Sequence, residues 1–165
     1  MIVAVGSDHA GFPLKIHAMQ EIEALGHKIL DCGTFDENPC DYPDFARKVG
    51  EAIVSGKAER GIILCGSGVG ASIAASKIPG VRAAVCHDLY SAAQGVEHDD
   101  MNVLCLGARV IDAKLARKLV PKFLNAQFQS KEERFVRRLG KVQKIERDAL
   151  SGLFDRKSEE VEIHR

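Results

Sequence analysis

The chain has 165 residues, enough for one domain with a proper core and too few for two. Its 23 basic residues balance 23 acidic ones, so neither nucleic acid nor an anionic membrane is expected as a partner, and any anion site must come from a few placed residues. Five cysteines form an odd, widely spaced set with no C-x-x-C pair, which excludes a disulfide framework and a structural zinc site and predicts a reduced, cytoplasmic protein without metal.

Ile2–Ser7 lacks a basic leader and turns polar at Ser7, so it reads as a strand and not as a signal peptide. No apolar run approaches membrane length. This strand ends in Ser7-Asp8-His9-Ala10-Gly11, and an amphipathic stretch, Phe12–Leu25, follows. Next come a strand at His27–Asp31, leading into Cys32-Gly33-Thr34, and a helix at Tyr42–Ser55. Arg60–Cys65 is an apolar, β-branched strand that runs into a glycine loop and a small-residue helix, Gly70–Ser76. A strand at Arg82–Cys86 meets His87-Asp88, and Leu89–Glu97 is helical, which leaves His98 in the loop before the fifth strand, Val103–Leu106. That strand exits into Gly107-Ala108-Arg109 ahead of a helix at Asp112–Ala126. A charged helix from Ser130 to Ser151 carries Arg134, Arg137 and Arg138, and a tail, Phe154–Arg165, is expected to be frayed or disordered.

Five strands with short crossover helices predict a parallel, doubly wound α/β sheet in a single domain of residues 1–150, followed by a charged tail at 151–165. Such sheets bind ligands beyond the carboxyl ends of their strands, where the strand order reverses. The small and polar residues cluster at those ends.

Cys65-Gly66-Ser67-Gly68-Val69-Gly70 is the most informative stretch. Its glycines fit a phosphate or oxyanion cradle at a helix start, a plain tight turn, or a loose G-x-G-x-x-G/A dinucleotide pattern. The last belongs after a first strand and wants a separate substrate domain for which this chain has no room, so no nicotinamide or flavin cofactor is expected. Cys65 is either an inert buried thiol or, beside a helix N-terminus, a nucleophile or base. Cys86 and Cys105 lack that setting and read as core. Asp8 and His98 offer an acid/base pair, although capping aspartates and surface histidines are common. Arg134 and Arg138, four apart, share one helix face that is either solvated or aimed at a phosphate dianion, and Arg109 could join them.

Taken in order, Ser7-Asp8-His9-Ala10-Gly11, Asp41-Tyr42-Pro43, Cys65–Gly70, His98-Asp99-Asp100-Met101-Asn102-Val103 and Leu106–Val110 resemble the ribose-5-phosphate isomerase B family, from residue 1 to about residue 148. That family also includes galactose-6-phosphate and allose-6-phosphate isomerases. The resemblance implies a Rossmann-like three-layer sandwich with an extra C-terminal helix that packs on a partner subunit. It also implies a cofactor-free aldose–ketose isomerase of sugar phosphates, working as a homodimer or dimer of dimers with shared sites. By position, Cys65 matches the base that moves a proton between C1 and C2, while Ser67 and the amides of Gly66, Gly68, Val69 and Gly70 match the enediolate site. Asp8 and His98 match the ring-opening pair, and His9, Arg109, Arg134 and Arg138 match phosphate ligands, some of them from the neighbouring subunit. Tyr42 and Asn102 match substrate contacts. Ser76 departs from the asparagine expected there, and Phe135 from a frequent histidine, which rests the phosphate clamp more on the arginines. Ribose 5-phosphate is the expected substrate, with a hexose 6-phosphate as the near alternative and a non-catalytic nucleotide-binding module as the rival reading.

Overall fold

The computed structural model describes residues 1–155. The elements are β1 (Ile2–Ser7), α1 (Phe12–Ala24), β2 (Lys28–Asp31), α2 (Tyr42–Val54), β3 (Arg60–Cys65), α3 (Val69–Ala75), β4 (Ala83–Val85), α4 (Leu89–Asp99), β5 (Val103–Gly107), α5 (Ala113–Asn125) and α6 (Glu133–Leu150). They fall into two units, Met1–Gln129 and Ser130–Arg165. In the second unit α6 is followed by a single 3-10 turn, Leu153–Asp155; the rest of the expected tail, with His164, lies outside the described residues.

All strands of the first unit are parallel, in the order β2-β1-β3-β5-β4. The five-stranded, doubly wound α/β sheet expected from the sequence is therefore present. The chain builds outward from β1 to β2, then crosses back to place β3 on the other side of β1. The strand order reverses between β1 and β3, which is where such sheets open a crevice for ligands.

Strand periodicity divides the core between the two faces. Val3, Val5, Ile62, Leu64, Leu104 and Leu106 face the cluster that includes Leu14, Ile22, Ala92, Leu119 and Phe123 of α1, α4 and α5. Ala4, Ile63, Cys65, Val103 and Cys105 face the cluster with Val49 of α2 and Ala71 of α3. Both faces are covered, so the strands read as continuous apolar runs. Among the described residues no helix is long and apolar enough to cross a membrane.

Two boundaries differ from the sequence expectation in ways that bear on function. β4 is shorter, because the Arg82 N–H is taken by the Asn102 side chain (2.8 Å) at this sheet edge. α4 runs two residues further, to Asp99, so His98 lies in a last helical turn and not in a loop. Two aspartates at the negative end of a helix dipole argue against helix. Arg82 offsets them: its guanidinium donates to the Asp100 carboxylate and to the Asp100 carbonyl oxygen, each at 2.6 Å, and holds Asp100 in the left-handed C-cap at φ 50°.

Candidate active site

β1 and β3 deliver Asp8 and Cys65 side by side to the switch point. The Asp8 N–H donates to the Leu64 carbonyl (3.2 Å), and the Asp8 carboxylate accepts the Gly11 N–H (2.8 Å), which folds the turn back on the sheet. A Cβ at Gly11 would stand 2.2 Å from the Leu64 oxygen and 2.8 Å from the Cys65 nitrogen, so only glycine allows this contact. Asp8 is buried, and part of its carboxylate's work is structural.

Cys65 is also buried, and its Sγ accepts the Gly68 N–H at 3.1 Å. Gly68 adopts φ 83°, a left-handed conformation that brings its amide back over the thiol before α3 begins. The Val69 N–H points at Ser67 Oγ (3.3 Å). Two of the amides expected to face an enediolate are therefore aimed at the side chains of Cys65 and Ser67. On the far side, Ala108 and Arg109 donate to the carbonyls of Cys65 (2.8 Å) and Gly66 (2.9 Å), so the turn after β5 grips the loop.

Three more expected residues join this group. The Tyr42 ring lies against Gly70, with its Cζ 2.6 Å from where a Cβ would sit. The Arg109 side chain runs along Gly66, 3.6 Å from the same construction. His9 Nδ1 stands 3.2 Å from both the nitrogen and the carbonyl oxygen of Cys40, which ties His9 to the loop after β2. Asp8, His9, Tyr42, the Cys65–Gly70 loop and Arg109 thus converge on one sheet edge.

His98 and Asn102 do not. In the parallel register, Gly61 pairs with Val103 and Cys65 with Gly107, so Asn102 precedes the start of β5 while Cys65 stands level with its end. Four residues of strand separate those levels, about 13 Å at ~3.3 Å per residue. Both polar ends of the Asn102 amide are engaged by main chain: Oδ1 accepts from Arg82 N, and Nδ2 donates to the Gly80 carbonyl (2.9 Å). His98 Nδ1 stands 2.8 Å from Gln94 Nε2 on the same helix. Arg134 and Arg138 belong to the second unit, exposed one turn apart on α6; the Arg134 guanidinium stacks 4.6 Å from the Phe135 ring centroid.

Two side chains escaped the sequence reading. Lys15 is 1% exposed, with Nζ 2.5 Å from Asp31 Oδ1 and 2.8 Å from the Thr34 carbonyl, and it pins the exit of β2. His87 accepts the Gly107 N–H on Nε2 at 2.9 Å. Its signal, Cys86-His87-Asp88 at a strand exit, was visible but carried no role.

Among the described residues no three His, Cys, Asp or Glu side chains stand together as metal ligands would. Burial pushes the Cys86 thiol up to about 11, with Asp88 adding to the effect, and also raises Cys105. Because the thiolate is the reacting species, iodoacetamide at about pH 8 is expected to leave Cys86 and Cys105 unmodified in the folded protein. Peptide mass mapping checks this, and labelling of Cys105 at the rate of half-exposed Cys40 would contradict it.

The family model described as Ribose/Galactose Isomerase matches residues 3–142. The ribose-5-phosphate isomerase B of Escherichia coli (strain K12) is 42% identical over 127 residues, covering 77% of this chain and 85% of that protein. The D-erythrulose-4-phosphate isomerase of Pectobacterium atrosepticum is 41% identical over 130 residues, 77% of this chain and 84% of that one. Among solved structures, the ribose-5-phosphate isomerase B of Clostridium thermocellum superposes with a TM-score of 0.87 at 44% identity, covering 90% of this chain and 99% of the other.

Proposed function

The chain belongs to the ribose/galactose isomerase family and is an aldose–ketose isomerase of sugar phosphates, and from that premise we propose that it interconverts ribose 5-phosphate and ribulose 5-phosphate. The observation that carries the reading is the pairing of Asp8 and Cys65 on adjacent strand exits, with Tyr42 and Arg109 closing over the same glycine loop. Asp8 takes part in opening the furanose. The Cys65 thiolate then removes the C2 proton, leaving an enediolate; a proton passes from O2 to O1, and the Cys65 thiol returns its proton to C1. Ser67 and the loop amides donate to the oxygens where charge develops. His9, Arg109, Arg134 and Arg138 hold the phosphate, far enough from C1 and C2 to fix orientation.

The separation of His98 from Cys65 within one chain supports a homodimer in which His98 reaches the partner's site and completes the ring-opening pair. With all five cysteines unpaired, a reducing cytoplasmic setting and a place in pentose phosphate interconversion fit this reading. The nucleotide-binding alternative loses its ground: the glycine loop follows the third strand and is packed around a thiol.

Because one relative is named for a four-carbon sugar phosphate, chain length is the specificity to test. Turnover of ribose 5-phosphate, erythrulose 4-phosphate, and allose and galactose 6-phosphates is followed by NMR, alongside thermal shift with each ligand. Ribose 5-phosphate is expected to give the highest kcat/KM and the largest rise in midpoint. A tetrose or hexose phosphate turned over about tenfold better would overturn the pentose assignment.

A further inference from the structure

One ionisable side chain at the strand exits has no part in the reaction above. His87 stands two residues beyond β4, half-buried, and its Nε2 accepts the main-chain N–H of Gly107 at 2.9 Å. An accepting Nε2 carries no proton, so this bond assigns the neutral Nδ1–H tautomer.

Gly107 holds an unusual position. It ends β5, pairs with Cys65 across the ladder, and a Cβ on it would stand 2.5 Å from the Ser67 carbonyl oxygen. The two amides that follow it bind the carbonyls of Cys65 and Gly66. The turn from Gly107 to Arg109 therefore touches three successive residues of the catalytic loop and carries Arg109 along Gly66. His87 holds this turn from the other side.

We propose that neutral His87 is a positioning residue for the isomerase reaction: it fixes the Gly107–Arg109 turn that presents the Cys65 loop and Arg109 to the substrate, and its protonation releases that turn. The inference rests on the reaction proposed above. Once Nε2 is protonated, two N–H donors face each other and the Gly107 amide loses its acceptor. Displacing oxyanion donors or a phosphate ligand by even about 1 Å is costly to turnover.

The surroundings favour the neutral form. Burial lowers the His87 pKa from its ordinary value, and Asp88 acts in the opposite sense. The Asp88 carboxylate is turned to the start of α4, where it accepts from Ser91 N (2.8 Å) and Ser91 Oγ (2.7 Å). Along the chain the nearest other ionisable groups are Cys86 and Tyr90, Cys65 pairs with Gly107 across the ladder, Arg109 follows two residues after Gly107, and α3 carries none.

Two variants and one spectrum test this. In His87→Gln, Oε1 reaches about as far as Nε2 and accepts at every pH, whereas His87→Leu leaves Gly107 without an acceptor. At about pH 8 the glutamine variant is expected to stay within about threefold of wild type, and the leucine variant to lose about tenfold in kcat with a smaller change in KM. The ratio of the wild-type to the glutamine kcat/KM profile removes the pH dependence that the two proteins share. That ratio is expected to be flat above the ordinary histidine range, to fall as the pH drops through His87's own titration, and to level off about tenfold lower, near the deficit of the leucine variant. A ratio that stays flat to about pH 5, or a folded leucine variant with unchanged kcat, would overturn the proposal. Long-range 1H–15N spectra of the wild-type imidazole read the tautomer without substrate, and an Nε2–H form near neutral pH would overturn it as well. A wild-type protein inactive on every sugar phosphate would instead sink the reaction, while the tautomer would still decide whether His87 holds Gly107.

Discussion

Cys65→Ala is expected to lower kcat by about three orders of magnitude while leaving the fold and phosphate binding in place, since a positioned general base contributes roughly 10²–10⁴-fold. The proton at C2 of an open-chain sugar phosphate is weakly acidic, and the other groups at this edge are poorly placed to take it. The Asp8 carboxylate is engaged with Gly11 N, and Ser67 Oγ accepts from Val69 N. The thiol stands at the switch point with an amide already donating to its sulfur. Alanine removes that acceptor as well as the base, so a second variant separates the two effects. Cys65→Ser keeps an acceptor for Gly68 but supplies an alkoxide far too basic to form, and it should be nearly as inactive as alanine. Steady-state kinetics with thermal midpoints for all three proteins decide the matter. Either variant turning over within about tenfold of wild type would move the base elsewhere.

What the sequence made legible follows from local physics. β1 and β3 match the expected bounds because an apolar β-branched run stops where the chain turns to glycine and charge. The residues at those exits were legible for the same reason: a carboxylate and a thiol placed at the ends of buried strands. Everything that depended on a partner distant in the chain was hidden. The end of α4 is set by Arg82, eighteen residues before Asp100, and the local pattern of two aspartates pointed the other way. Lys15 looks like a surface lysine of an amphipathic helix until Asp31 and the Thr34 carbonyl are seen around its ammonium. His87 is coupled to Gly107 across a strand pair that the sequence does not order. Periodicity assigns a side chain to a face of the sheet but not to an end, so His98 and Asp8 look equally available to one site. Asp8 leaves the carboxyl end of β1, whereas α4 runs back to its C-cap at Asp100, bonded to Arg82 ahead of β4, so His98 lies at the opposite edge.

That separation leads to the second large effect. His98→Asn and Cys65→Ala are each expected to be almost inactive on the cyclic sugar, yet a dimer containing one of each should recover activity. If His98 serves the partner's Cys65, one site of the mixed dimer inherits both lesions and the other inherits neither. Random pairing of equal amounts puts half the chains in mixed dimers, so the mixture should recover about a quarter of wild-type turnover. Mixed dimers isolated by two different tags should approach about half. His98→Asn has a further signature, because a ring-opening residue matters less once the ring is open. Solvent exchange of the C2 proton on an open-chain analogue should fall much less than turnover of ribose 5-phosphate. Repeating the pairing with Arg134→Ala/Arg138→Ala chains assigns the arginines in the same way, since activity returns only if they serve a site other than that of their own Cys65. Tagged mixed dimers of Cys65→Ala and His98→Asn without activity would mean that each chain works alone. In that case α4 would have to leave the sheet edge where it now ends, and the shared-site model would be wrong.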